Sequence, residues 1–157
     1  MASLFLRNLF FTILQPGIVA GLIPFFILGN KFTKILSQSL SLLQYLSAII
    51  FLTGFAGMLM CIISFAVRGQ GTLSPADPTK KLVVSGLYRF SRNPMYVGVM
   101  MMLVGEFLFF QSPDLLLYSI GIFTAFNIFI ILFEEPRLRK DFGKAYDRYC
   151  EKVRRWI

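Results

Sequence analysis

Four long apolar runs, divided by polar segments, set the plan of the chain: Leu9 to Leu28, Tyr45 to Val67, Met95 to Phe110 and Leu115 to Phe133. A bilayer core about 30 Å thick needs roughly 20 helical residues. The first, second and fourth runs meet that length; the third is shorter and needs tilt or extension. The pattern predicts an all-α, polytopic membrane helical bundle of about four spans. Pro16, Gly17 and Pro24 predict kinks in the first span, which a bundle tolerates where neighbours satisfy the freed carbonyls. Gly54, Ala56 and Gly57 in the second favour close helix approach. Gln111-Ser112-Pro113-Asp114 predicts a tight turn, with Ser112 as N-cap and Pro113 at the first helical position. The third and fourth spans then form an antiparallel hairpin, and Glu134-Glu135-Pro136 is expected to end it.

Beyond that point the periodicity changes. Leu138, Phe142, Tyr146, Tyr149 and Val153 fall on one helical face. Arg139, Lys140, Lys144, Arg148 and Lys152 fall on the other. This predicts a C-terminal amphipathic helix on the membrane surface.

The polar segments differ in character. Met1 to Asn8 is a short lead, and no small-residue cleavage site follows the first run, so that run is expected to be a retained span. Gly29 to Gln44 is rich in Ser and Lys; Leu36, Leu40 and Leu43 suggest a helical piece at the interface. Arg68 to Asn93 is the longest polar segment. Gly69-Gln70-Gly71 and Ser74-Pro75-Ala76-Asp77-Pro78 argue for irregular structure. Its second half carries Leu82, Val83, Leu87, Tyr88 and Phe90, which predicts packing against the bundle. Turn chemistry recurs at Ser85-Gly86 and Asn93-Pro94, just before the third run.

Composition agrees with a membrane protein: 56% of the 157 residues are hydrophobic, 15% are charged, and 18 are Phe. The length suits a single domain over 1–157, divided between N-terminal spans and connector (1–79) and a second half (80–157). There is no His, which removes the commonest general base and metal ligand. Cys61 and Cys150 fit no metal spacing, so neither a metal nor a disulfide is expected. The net charge of +8 reads as topology rather than nucleic-acid binding. With four spans, fourteen of the sixteen Lys and Arg lie on one side. The positive-inside rule makes that side, with both termini and the 68–93 segment, cytoplasmic.

Candidate chemistry gathers on the same side. It comprises the corner Arg92-Asn93-Pro94-Met95-Tyr96, the start of the third span with Gly98 and Gly105, and the pair Glu134-Glu135. In an antiparallel hairpin Asn93 and Glu134 share one depth. Plainer readings compete. Carboxylates favour helix N-termini, tyrosines favour membrane interfaces, and Gly98 with Gly105 suits helix packing. Arg89 and Arg92 suit lipid phosphates. Glu106, near the far end of its span, would reach water or bond another helix. Met100 to Met102 suits packing.

The ordered set Leu82-Val83-Val84-Ser85-Gly86-Leu87-Tyr88, Arg92-Asn93-Pro94-Met95-Tyr96-Val97-Gly98, Glu134-Glu135 and Phe142-Gly143-Lys144-Ala145-Tyr146-Asp147-Arg148-Tyr149 resembles the isoprenylcysteine carboxyl methyltransferases and related phospholipid methyltransferases. The resemblance covers about Lys80 to Trp156. It implies an S-adenosyl-L-methionine-dependent methyltransferase, with its active site at the cytoplasmic membrane boundary and a lipophilic substrate or lipid headgroup entering from the lipid side. It places the cofactor on Lys81, Leu82, Val83, Tyr88, Asn93, Pro94, Met95, Tyr96 and Glu134, making 80–157 the cofactor-binding half. Two departures argue against a prenylcysteine acceptor: Asn93 stands where that branch usually has His, and Ile130 where it has Arg. The chemistry is compatible. Methyl transfer from a sulfonium needs no metal and gains from positioning. Glu134 suits the donor's ammonium, and Tyr88 or Tyr96 suits the sulfonium. Glu135 is the spare carboxylate for a catalytic base. The rivals are a nicotinamide-dependent membrane reductase of sterol-reductase type, using Lys80, Lys81, Arg89 and Arg92 for phosphates, and a small non-enzymatic transporter or assembly subunit.

Overall fold

The computed structural model describes residues 16–29, 39–64, 67 and 82–157. Among these residues every regular element is a helix. The first, α1, runs Ile18–Leu28. It opens as a π-turn, Ile18–Leu22, and continues α-helical over Ile23–Leu28. The kink sits at Ala20 (φ −111, ψ 26), while Gly17 keeps ordinary helical angles. The cause is Pro24. It has no N–H to give the carbonyl four residues back, and its ring crowds that carbonyl. Residues 9–15 of the expected first span lie outside the described residues.

Helix α2 spans Leu42–Ser64, starting three residues earlier than the apolar run suggested. A capping box accounts for this. The Ser41 N–H donates to Gln44 Oε1 at 2.8 Å, and the Gln44 N–H returns to Ser41 Oγ at 3.4 Å. Leu43 therefore belongs to α2, Leu40 is not helical, and Leu36 lies outside the described residues.

Helix α3, Pro94–Phe110, and helix α4, Pro113–Phe129, each begin with Pro in the first turn. Between them Gln111 adopts φ 48. Ser112 does not cap with its side chain, contrary to the expectation from sequence; its hydroxyl is buried and, among the described residues, has no partner. Its carbonyl instead accepts from the N–H groups of Leu115 and Leu116.

Glu134-Glu135-Pro136 does not end the helix. The chain passes through a π-turn, Ile130–Glu134, into α5, Glu135–Phe142. Pro136 repeats what Pro24 does: the carbonyl of Leu132 loses its donor, and the turn widens around it. The expected single tail helix is two helices. Gly143 (φ 51) separates α5 from α6, Lys144–Lys152.

Packing is built on small residues. Helices α2 and α3 run antiparallel, with Gln44 Nε2 donating to the Phe109 carbonyl at one end. A Cβ on Gly54 would lie 2.5 Å from the Gly98 carbonyl oxygen; one on Gly98 would lie 2.7 Å from that of Gly54. One on Gly105 would meet Phe51 and Ser47 at 2.9 Å. Met58, Val99, Met102 and Leu103 form the core with Ala20 of α1. Helix α4 closes on α1 through Tyr118 Oη, which donates to the Val19 carbonyl at 2.8 Å. Outward positions such as Phe26, Leu42, Leu117 and Phe133 are exposed and apolar, a surface suited to hydrocarbon rather than water. Among the described residues two helices, Leu42–Ser64 and Pro113–Phe142, are long and apolar enough to cross a membrane; Ile18–Leu28 and Pro94–Phe110 are shorter.

Candidate active site

The segment before α3 does pack on the bundle. Leu82 to Val84 take no regular structure, Ser85 is extended, and Gly86 (φ 66) lets the chain turn into a 3-10 helix, Gly86–Arg89. That conformation disfavours a Cβ, so the Ser-Gly turn sets where the next residues point. Val83 and Tyr88 become buried against Cys61 of α2. The Tyr88 hydroxyl donates to the Cys61 thiol. Burial first, then Cys61 and Glu134 close by, raises the Tyr88 phenol well above its ordinary value.

The π-turn brings Glu134 to the same place from the other side. Tyr96 Oη, in the first turn of α3, donates to Glu134 Oε2 at 3.0 Å. The Tyr96 ring lies 4.7 Å from that of Phe126 on α4. Val83, Tyr88, Met95, Tyr96 and Glu134 thus gather at one end of the bundle, with Leu82 half-buried beside Val83 and Pro94 buried at the start of α3. Lys81 lies outside the described residues.

Two site expectations meet a different arrangement. Asn93 is 7% exposed, and its Nδ2 donates to the Arg155 carbonyl at 3.0 Å. Glu135 is buried, and both its oxygens are taken: Arg155 Nε and Nη2 at 2.8 and 3.1 Å, with Arg92 Nη1 at 3.3 Å. A carboxylate held by two guanidiniums is a poor proton acceptor, so the geometry removes the motive for Glu135 as a base. Gly98 and Gly105 serve helix contact rather than cofactor access.

Sequence reading missed what ties this corner down. Past α6 the chain turns back as a strap over residues 153–156. The Arg92 N–H donates to the Arg154 carbonyl at 2.9 Å, and Ser91 Oγ to that of Arg155 at 3.3 Å. Trp156 Nε1 donates to Asn127 Oδ1 at 3.1 Å. Tyr149 Oη donates to the Tyr88 carbonyl at 2.6 Å. Burial, with Cys150 adding and Arg92 opposing, pushes that phenol up to about 12, so it keeps its donor proton at neutral pH. The face of α6 carrying Tyr146 and Tyr149 is therefore turned onto protein. The available signals were the single Trp and an Asn alone in an apolar span.

Fold and site together define an all-helical membrane protein with a carboxylate and two phenols drawn together at one bundle end. The chain belongs to the phospholipid methyltransferase family, whose model matches residues 42–145. Relatives include a probable protein-S-isoprenylcysteine O-methyltransferase of Oryza sativa subsp. japonica, 25% identical over 139 residues, covering 76% of this chain and 72% of the relative. The Arabidopsis thaliana protein-S-isoprenylcysteine O-methyltransferases A and B are 27% and 24% identical over 137 residues, covering 75% of this chain and 70% of each relative. No solved structure matches. The protein is accordingly a methyltransferase enzyme, and the reductase and non-enzymatic expectations find no support.

Proposed function

We propose that the protein transfers a methyl group from S-adenosylmethionine to a lipophilic acceptor, at the cytoplasmic boundary of a four-span bundle. The observation that carries this is the Tyr96–Glu134 hydrogen bond, 3.0 Å, which joins the corner before α3 to the π-turn after α4 beside Tyr88. The residues fit such a donor. Glu134 is half-buried and offers a carboxylate to an ammonium, a charge-assisted bond. Tyr96 fixes that carboxylate by holding one oxygen. Tyr88 and Tyr96 offer aromatic faces to a sulfonium. Val83 packs beside Tyr88 and, with Leu82, adds apolar side chains to the site. Bound there, the donor would supply an electrophilic methyl that needs no metal; the chain supplies orientation and exclusion of water.

Ile130 bears on the acceptor. It is fully buried and places no cation where a substrate carboxylate would need one, which favours a lipid headgroup over the prenylcysteine named for the relatives. Lys81 belongs to the proposed donor site on sequence grounds, and Asn93 contributes by fastening the corner. The concentration of cations on one side supports the cytoplasmic placement.

The test is calorimetric titration of the detergent-purified protein with S-adenosylhomocysteine. Binding is expected in the wild type, and Glu134→Gln should weaken it roughly tenfold or more, the worth of a hydrogen bond to a charged group. A folded protein that does not bind would overturn the proposal.

A further inference from the structure

A second site lies at the opposite end of the molecule. Glu106 is twelve residues beyond Pro94 on α3, about 18 Å along the axis at 1.5 Å per residue. It borders a cavity of about 310 Å³ between α1, α2 and α3, with Gly21, Phe25, Leu28, Phe51 and Phe110 among its walls. Every lining side chain except that of Glu106 is apolar. The Glu106 Oε2 is buried, and among the described residues it has no hydrogen-bond partner. Tyr118, close by on α4, does not make the expected helix-to-helix bond to it; that hydroxyl donates to the Val19 carbonyl. A second acceptor borders the same space. Pro24 leaves the Ala20 carbonyl without its α-helical donor, and the non-helical angles at Ala20 (φ −111, ψ 26) swing that carbonyl off the helical direction.

An unpaired acidic oxygen held in apolar surroundings is costly. A ligand that relieves it brings N–H donors and a positive charge. The walls decide the rest. They hold no cation and no side-chain hydroxyl or amide, so a phosphate or carboxylate on the ligand would stay unpaired there and be repelled by Glu106. Three phenyl rings suit a compact apolar body and can face an ammonium. The volume is at the small end of ligand pockets. We infer that this cavity binds a small lipophilic amine: a protonated primary or secondary amine on one aromatic or branched body, with one N–H given to Glu106 Oε2 and another to the Ala20 carbonyl. A methyl acceptor must touch the methyl donor, and Glu106 lies at the other end of α3 from Tyr96, so this ligand is not the acceptor. The site owes nothing to the methyl-donor assignment.

The experiment is photolabelling in phosphatidylcholine nanodiscs, with adducts mapped by peptide mass spectrometry. The probe is phenethylamine carrying a diazirine on its ring. The competitors are phenethylamine itself and phenethyl alcohol, the same body without the charge. Adducts are expected on Pro24 to Leu28, Phe51 and Phe110, and the amine should displace the probe at about tenfold lower concentration than the alcohol. Glu106→Gln, which keeps the shape and removes the charge, should bring the two competitors to within about twofold of each other. Gly21→Leu should suppress labelling at these residues, since a Cβ on Gly21 meets nothing within 4 Å and the added side chain can occupy the cavity without displacing a helix. The wild type decides first: no adducts at these residues, or an alcohol that competes as well as the amine, overturns the inference whatever the variants do. An undiminished amine preference in Glu106→Gln, or unchanged labelling in Gly21→Leu, overturns it as well. S-adenosylhomocysteine titration of the same samples separates the two sites, and both variants should bind it like the wild type. A wild type that labels as expected but does not bind it would count against the methyl-donor reading alone.

Discussion

Adjacent glutamates have opposite surroundings here because a helical step turns the side chain by about 100°. Glu134 faces Tyr96 and Tyr88; Glu135 faces Arg92 and Arg155. Their substitutions should therefore separate function from stability. Tyr96→Phe removes the hydroxyl that orients Glu134 and should weaken S-adenosylhomocysteine binding roughly fivefold to tenfold by calorimetry, with the melting temperature nearly unchanged. Glu135→Gln leaves two cations facing one neutral group. Arg155 is partly exposed, so the loss should be about 1–2 kcal/mol, below that of a fully buried pair. It would be read as a lower melting temperature in detergent, with binding of the methyl-donor product falling less than for Tyr96→Phe. The reverse pattern would sink both assignments.

At the scale of elements, two prolines do what neither periodicity nor hydropathy announces. Pro24 and Pro136 each widen the turn before them, and the second widening turns Glu134 toward α3. Pro136→Ala restores the missing N–H and allows an ordinary α-turn, which displaces Glu134 by about one residue. Donor binding should fall about tenfold or more while thermal stability holds or rises, since Pro inside a helix costs ~3 kcal/mol. Gly98→Ala should act differently. Its Cβ would sit 2.7 Å from the Gly54 carbonyl oxygen, so α2 and α3 must part, at a cost of about 1–3 kcal/mol measurable by thermal unfolding. Much of this level was legible. The apolar runs located α2, α3 and α4 to within a few residues, because hydropathy alone decides which segments enter hydrocarbon. Tyr88, Tyr96 and Glu134 came from a motif order, and the hairpin argument explains why they meet. The partners of Glu135 and Asn93 were not legible. Apart from Arg92, they depend on the strap, and no local pattern says that a chain will turn back. The break at Gly143 was readable in principle, since Gly is the residue that takes φ > 0 at a helix end. The unbroken 4-4-3-4 spacing hid it.

For the whole molecule, charge asymmetry and the position of the site make one prediction together. Cys150, at the site end, is the reporter. In sealed vesicles of known sidedness, and with Cys61 buried, a membrane-impermeant maleimide should modify Cys150 only from the cytoplasmic side; labelling from the opposite side would reverse the orientation. The strap also bears on the order of synthesis. The bonds that hold the corner before α3 reach residues 62 and 64 positions later in the chain. Helices α2 and α3 can pair as soon as both have left the ribosome, but the Asn93 side chain gains its Arg155 partner only once that residue has been translated. A nascent chain stalled after α4 would hold its hairpin with that corner still loose. Competence for methyl transfer would then arrive with translation of the strap rather than with membrane insertion.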